Sequence, residues 1–170
     1  MAPMPATTQM PLLFCDAMLA SLARWLRAAG YDTSLAPASA TDRAVLDTCR
    51  AQSRIVLTRD RHLAAHAGVC VHARLLAADR LDAQAVELTA ALGIDWTRAP
   101  FSRCLLDNTP LHEATEQERQ RVPPRARGLP GPFRACPLCG RLYWPGSHVR
   151  RMQSRLQQWH ALARSTSPPG

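Results

Sequence analysis

Four aspartates recur at one kind of position along the first half of this chain. Asp16 follows the apolar run Leu12-Leu13-Phe14-Cys15, and Asp60 lies just beyond Arg54-Ile55-Val56-Leu57-Thr58. Asp42 and Asp79 each open a helical pattern after an extended one. In an open parallel sheet, ligands bind beyond the carboxyl ends of the strands, which is where all four would fall. Crowded carboxylates repel each other, and hard divalent cations such as Mg2+ or Mn2+ relieve that repulsion with oxygen ligands. A cation so held lowers the pKa of water and neutralises the oxygens of a phosphodiester undergoing displacement. The plain alternative for Asp42 and Asp79 is a helix cap. Asp16 resists that reading, because it stands between Cys15 and Ala17-Met18-Leu19 and a structural role there needs a buried partner.

These positions follow from the elements between them. Leu12–Cys15, Thr33–Ala36, Arg54–Thr58 and Val69–Val71, extending toward Leu76, read as short strands. Met18–Ala29 carries Leu19, Leu22, Trp25 and Leu26 on one stripe, and Gly30 suits a left-handed stop. Further helices are expected from Thr41 or Asp42 to Gln52, from Arg61 to Ala67, and from Asp79 to Leu92 before Gly93. Alternating strand and helix predicts an α/β domain with a parallel sheet and right-handed crossovers, over residues 12–93.

After Gly93 the texture changes. Prolines crowd residues 94–148, and Arg119–Pro132 reads as a linker or extended loop. Two knuckle-like sequences flank it, Cys104-Leu105-Leu106-Asp107 and Cys136-Pro137-Leu138-Cys139-Gly140. A unit this small needs a staple, and a metal would serve. Cys15, Cys49 and Cys70 sit singly in apolar runs as small hydrophobes. A redox role for Cys136 and Cys139 lacks the strand leading in and the helix leading out. Residues 149–170 are expected to form a basic helix, with Met152, Leu156, Trp159 and Ala163 on one face, and a frayed tail.

Charge separates the two halves. All 21 basic residues are arginines, and the net charge is +8. Nine arginines balance nine acids in residues 1–97, whereas residues 98–170 hold twelve arginines and four acids. Such asymmetry points to a polyanion partner, since arginines neutralise phosphates and release counterions. The segment from Arg141 to Arg151 interleaves arginines with Tyr143, Trp144 and His148, a composition suited to single-stranded RNA. Tyr143 and Trp144 equally suit packing of the second unit on the first. Arg150, Arg151 and Arg155 suit phosphates, and Arg24, Arg27, Arg59 and Arg61 lie beside the acidic positions. The apolar fraction of 46% fits a globular core. No run is long enough to span a bilayer, and the first residues lack a secretory pattern, so a soluble cytoplasmic protein is expected.

Phe14-Cys15-Asp16-Ala17-Met18-Leu19, Leu22-Ala23-Arg24-Trp25-Leu26-Arg27 and Gly30-Tyr31-Asp32-Thr33 resemble the opening of the Mut-seven C-terminal RNase domain family. Leu57-Thr58-Arg59-Asp60-Arg61-His62-Leu63 resembles its second block. Ser102-Arg103-Cys104-Leu105, Cys136-Pro137-Leu138-Cys139-Gly140 and Tyr143-Trp144-Pro145-Gly146-Ser147-His148 resemble its ending. The resemblance implies a PIN-like nuclease fold with a zinc ribbon at its C-terminal side. It further implies Mg- or Mn-dependent RNA cleavage leaving a 5′-phosphate and a 3′-hydroxyl. Asp16 and Asp60 match its best-defined acidic positions and Asp42 a more variable one, while Asp79 does not align. The ribbon departs from a double Cys-x-x-Cys pattern, because Asp107 stands where a fourth cysteine would be. Cys104, Asp107, Cys136 and Cys139 then make a three-thiolate, one-carboxylate zinc set, with His112 or His148 as substitutes and loss of the metal as the alternative. A non-catalytic RNA- or ribosome-binding module is the competing reading, and a protein partner stays open.

Overall fold

The computed structural model describes residues 10–69 and 71–165, with side chains to residue 162. Cys70, the leading residues 1–9, the Ala163 side chain and the tail from residue 166 lie outside them.

Four strands, β1 (Leu13–Cys15), β2 (Thr33–Leu35), β3 (Ile55–Thr58) and β4 (Ala73–Leu75), form a parallel sheet in the order β2-β1-β3-β4. Helices α1 (Ala20–Ala28), α2 (Asp42–Gln52), α3 (Arg61–Ala67) and α4 (Leu81–Leu92) alternate with them. Side chains alternate across a strand, so β1 and β3 serve two cores. Leu13, Cys15 and Leu57 pack with Leu22, Leu26 and Leu88 of α1 and α4. Phe14 and Val56 pack with Val45, Leu46 and Leu63 of α2 and α3. Helices cover both faces, and every residue of β1 is buried, which explains its unbroken apolar run. The order also sets a switch point: from β1 the chain winds to β2, and from β3 the opposite way to β4. The carboxyl ends of β1 and β3 border the crevice between those directions.

Local signals hold these elements. The Thr41 hydroxyl accepts from the Ala44 N–H at 3.3 Å and caps α2. Gly30 takes φ +98°, and a Cβ there would lie 2.5 Å from the Ala99 carbonyl oxygen. Only glycine lets the returning chain cross so close to the end of α1.

The fourth strand is displaced from its expected start. β4 covers Ala73–Leu75 because its ladder to β3 pairs Val56 with Ala73 and Thr58 with Leu75. Val69 is exposed, and Val71 is a buried loop residue rather than a strand residue. Residues 119–132 are likewise no extended linker. They contain a one-turn helix, α6 (Pro124–Arg127), which Arg127 ties down by donating to the carbonyls of Val122 and Gln120. Val122 and Phe133 are buried in a small core with Ala114 and Ala135.

That core belongs to a second, antiparallel sheet of β5 (His112–Glu113), β6 (Arg134–Ala135) and β7 (Leu142–Tyr143). A short helix, α5 (Glu116–Arg119), starts with a capping box between Thr115 and Glu118. The chain ends in α7 (Ser147–Ser165), which begins two residues earlier than the sequence pattern suggests. α7 returns to the first sheet. Its Trp159 meets Trp25 and Trp96 edge-on, both at 4.9 Å between centroids. The Trp159 indole N–H and Arg155 both donate to Asp82 on α4, at 2.7 and 2.6 Å.

Asp32, just ahead of β2, ties the first sheet to the loop of the first knuckle. It accepts from Arg54 at 2.6 Å and Asn108 at 2.8 Å, and Arg103 lies at 3.2 Å. Burial favours protonation of this carboxyl, but the hydrogen bonds from Arg54 and Asn108 and the Arg103 charge outweigh it and hold its pKa below the ordinary value. A depressed folded pKa contributes stability above the unfolded value of about 3.9, lost as pH falls below it and through the folded pKa. Asp32→Asn is therefore expected to cost about 1–3 kcal/mol at neutral pH. It should also flatten the acid limb of stability against pH, read by urea titration between pH 3 and 7.

Candidate active site and metal centre

Asp16 leaves β1 at the switch point, its N–H bonded to the Leu57 carbonyl at 3.0 Å. Its carboxylate accepts from the Thr58 hydroxyl at 2.8 Å. That hydroxyl in turn accepts from the Asp60 N–H at 2.9 Å. The Asp60 carboxylate caps α3 through the His62 N–H at 2.7 Å. Fully buried Thr58 thus orients one acid and fixes the backbone of the other. Sequence reading passed over Thr58; its signal is a lone hydroxyl at the last position of an otherwise apolar strand.

The other two acids stand apart from this bridge. Asp42 is the first residue of α2, exposed and 3.8 Å from His66 on α3. Asp79 is exposed in the turn ahead of α4, where it caps nothing, since Arg80 holds the cap position. The loop after β4 is held by Glu87, whose carboxylate accepts from the N–H groups of Ala77 and Ala78 at 3.1 Å. Arg59 and Arg61, exposed on either side of Asp60, line a cleft of about 410 Å³ with Leu75, Leu76 and Ala77. Among the described residues, the converging set of three or more His, Cys, Asp or Glu side chains lies elsewhere. The edge therefore offers Asp16 and Asp60 linked through Thr58, by the carboxylate of the first and the backbone N–H of the second, rather than a preassembled cage of three carboxylates. Such a pair suits Mg2+, which commonly takes one or two carboxylates and completes its shell with waters and substrate phosphates.

The converging set is Cys104, Asp107, Cys136 and Cys139, whose ligand atoms all lie within 4.8 Å of one another. Cys104 and Cys139 sulfurs are 3.7 Å apart, and the Cys136 sulfur lies 3.3 and 3.5 Å from the Asp107 oxygens. Zn–S bonds of about 2.3 Å and Zn–O bonds of about 2.0 Å in a tetrahedron put sulfur–sulfur edges near about 3.8 Å and sulfur–oxygen edges near about 3.5 Å. The donor set fits zinc. Each knuckle is built by local backbone bonds: the Cys139 N–H points at the Cys136 sulfur at 3.5 Å, and Asp107 accepts from the Thr109 N–H at 3.0 Å. His112 and His148 are not the substitutes the sequence allowed. His112 is engaged by Glu118 at 3.0 Å, and His148 faces Arg24 at 3.4 Å.

The electrostatics agree with a cluster that trades protons for a cation. Burial opposes ionisation of Asp107, yet the Thr109 N–H and the Cys139 and Cys104 thiols hold its pKa well below the usual carboxylate range. The Arg141 N–H favours the Cys139 thiolate, but burial and the neighbouring Asp107, Cys136 and Cys104 push that thiol up to about 12.

Two residues expected to touch RNA are structural instead. Arg27 is buried, its guanidinium donating to the carbonyls of Thr33 at 2.8 Å, Leu105 at 3.1 Å and Leu106 at 2.7 Å. Tyr143 is buried too, its hydroxyl accepting from the Leu105 N–H at 2.9 Å beside the Cys104 sulfur. Their polar groups are committed to the protein's own backbone. Trp144 is partly buried, while Arg24, Arg59, Arg61, His148, Arg150 and Arg151 are exposed.

A doubly wound α/β sheet carrying an acidic pair at its switch point, joined to a cysteine-knuckle ribbon, defines the class of this chain. Residues 11–156 match the family model described as the Mut7-C RNAse domain, and the chain belongs to that family. No curated protein and no solved structure matches it. No helix among the described residues is long and apolar enough to cross a membrane.

Elemental analysis is expected to find one zinc per chain, lost in Cys136→Ser. Because zinc displaces thiol protons, its affinity should fall as pH drops below 7. Chelation should lower Tm in the native chain and leave Cys136→Ser unchanged.

Proposed function

We propose that this chain is a divalent-cation-dependent ribonuclease acting on single-stranded RNA. The observation that carries the reading is the bridge from Asp16 through the Thr58 hydroxyl to Asp60 at the β1/β3 switch point. Two carboxylates are held there by the fold before any substrate arrives, and the family is described as an RNase domain. Asp16 and Asp60 would hold Mg2+ or Mn2+, which when bound neutralises phosphate oxygens and acidifies water. Thr58 fixes the Asp16 carboxylate through its hydroxyl. Arg59 and Arg61 flank the pair and bind the phosphates on either side. The reaction is hydrolysis: water attacks phosphorus, the 3′-oxygen leaves, and the products carry a 5′-phosphate and a 3′-hydroxyl. Asp42, paired with His66, takes an outer role and Asp79 none. Cys104, Asp107, Cys136 and Cys139 hold a structural zinc, and the exposed arginines Arg150 and Arg151 of α7 draw in the RNA backbone.

The separation of Asp42 from the bridged pair favours one second reading, an RNA-binding module without catalysis. It expects salt-sensitive RNA affinity and no cleavage with any divalent cation.

Incubation of an unstructured RNA with Mn2+ decides between them. The native chain is expected to cleave it, and Asp16→Asn to lose at least about 100-fold in rate, a few kcal/mol of barrier, with its circular dichroism and Tm intact. Thr58→Val should lose about 10-fold and Asp42→Asn less than that. An Asp16→Asn protein as active as the native chain removes Asp16 from the chemistry.

A further inference from the structure

Between α1, the first knuckle, β7 and the start of α7 lies a cleft of about 250 Å³. Its apolar lining includes Leu105, Val149 and the Trp144 side chain, and its polar lining includes Arg24, Arg141 and His148. Among the described residues no carboxylate lines it. This volume is below the range of clefts that enclose drug-sized ligands and suits one base, not two. An aromatic side chain with apolar neighbours receives the face of a base, and the two guanidiniums receive the phosphate attached to it.

We propose that this cleft holds one nucleotide of a single-stranded RNA, its base against Trp144 and its phosphate between Arg24 and Arg141. The inference rests on the reading of the chain as an RNA-acting protein, but assigns a subsite distinct from the acidic pair. Arg24 stands eight residues beyond Asp16, about 13 Å of helix rise along a single 3-10 turn at Ala17–Leu19 and then α1. The cleft and Asp16 therefore engage different nucleotides of one strand. The turn after Trp144 is closed by its own backbone, the Gly146 N–H donating to the Trp144 carbonyl at 2.7 Å. A Cβ on Gly146 would lie 2.8 Å from the indole nitrogen, so the turn packs directly on the ring edge. Tyr143, mostly buried, also borders the cleft, but its hydroxyl is taken by the Leu105 N–H, which leaves the more accessible Trp144 ring to receive the base.

The test uses the full chain carrying Asp16→Asn and a fluorescein-labelled octauridylate, followed by fluorescence anisotropy, with probe integrity checked on a gel. Trp144→Ala is expected to weaken binding about 5- to 100-fold. Arg24→Gln with Arg141→Gln should weaken it comparably and reduce the salt slope by about 0.7 per arginine removed. Both arginines are exposed, so this double variant keeps the proposal falsifiable if Trp144→Ala does not fold. Arg43→Gln, on the exposed side of α2, serves as the charge control. Unchanged affinity in a folded double variant overturns the subsite, and so does a loss no larger than that of Arg43→Gln. Cleavage by the chain without Asp16→Asn separates the two ideas. If that chain never cleaves RNA yet the variants lose binding, the subsite stands and the hydrolase fails. If it cleaves and the variants keep its KM, the hydrolase stands and the subsite fails.

Discussion

An exposed edge strand must have its backbone groups satisfied, and here the second unit does so. β2 is the outermost strand beside β1. The Thr33 N–H donates to the Asn108 side chain at 3.0 Å, and the Thr33 carbonyl accepts from Arg27. A single buried guanidinium therefore covers the edge and also grips the carbonyls of Leu105 and Leu106 in the first knuckle. Burial disfavours its charge and pulls its pKa down, with the nearby acids Asp107 and Asp32 opposing that loss. Removing the side chain would leave three carbonyls without donors, each costing about 1–3 kcal/mol when buried. The knuckle's orientation, and with it the meeting of Cys104 and Asp107 with Cys136 and Cys139, follows from this contact.

The same economy governs the arginines of the second half. Arg103, Arg127 and Arg134 donate to backbone carbonyls, and Arg121 donates to Gly140 across the second knuckle. Arg119 lies over the Phe133 ring at 4.5 Å, and Arg155 joins Asp82. Guanidinium forks with several donors serve loops whose carbonyls lack ladder partners, as short strands and one-turn helices leave many of them. The arginines of the second half thus include struts inside the second unit and an exposed group at Arg141, Arg150 and Arg151.

Two kinds of ligand chemistry are kept apart. The carboxyl edge of the first sheet offers the hard oxygens of the half-buried Asp16 and Asp60. The knuckles offer three soft sulfurs and one carboxylate in a closed set. Three thiolates and a carboxylate converging on one point suit a closed tetrahedral site, whereas two carboxylates suit a hard cation that completes its shell with waters. Trp159, wedged between Trp25 and Trp96, ties the helix that follows the knuckles back onto the first sheet. One continuous hydrophobic cluster accordingly runs from Leu13 to Tyr143 and Trp159.

Periodicity made the α/β alternation legible, because β1 and β3 are short apolar runs and α1 to α4 carry one-sided stripes between capping residues. Spacing made the knuckles legible, down to Asp107 in the fourth position, since a metal site built from loops is encoded locally. The limits of β4 and the ordering of residues 119–132 were not, because each depends on a partner distant in the chain: the length of β3 in one case, the small core around Val122 in the other. Nor does sequence distinguish Arg27 from Arg24, or Tyr143 from Trp144. Which of two similar nearby residues faces the core is set by how α1 and β7 rotate against their neighbours. The residue types determined which chemistries are possible; packing decided that Thr58 joins Asp16 to Asp60, because hydrogen bonds form only between groups that folding brings within about 3 Å, while Asp42, 3.8 Å from His66, stands outside that bridge.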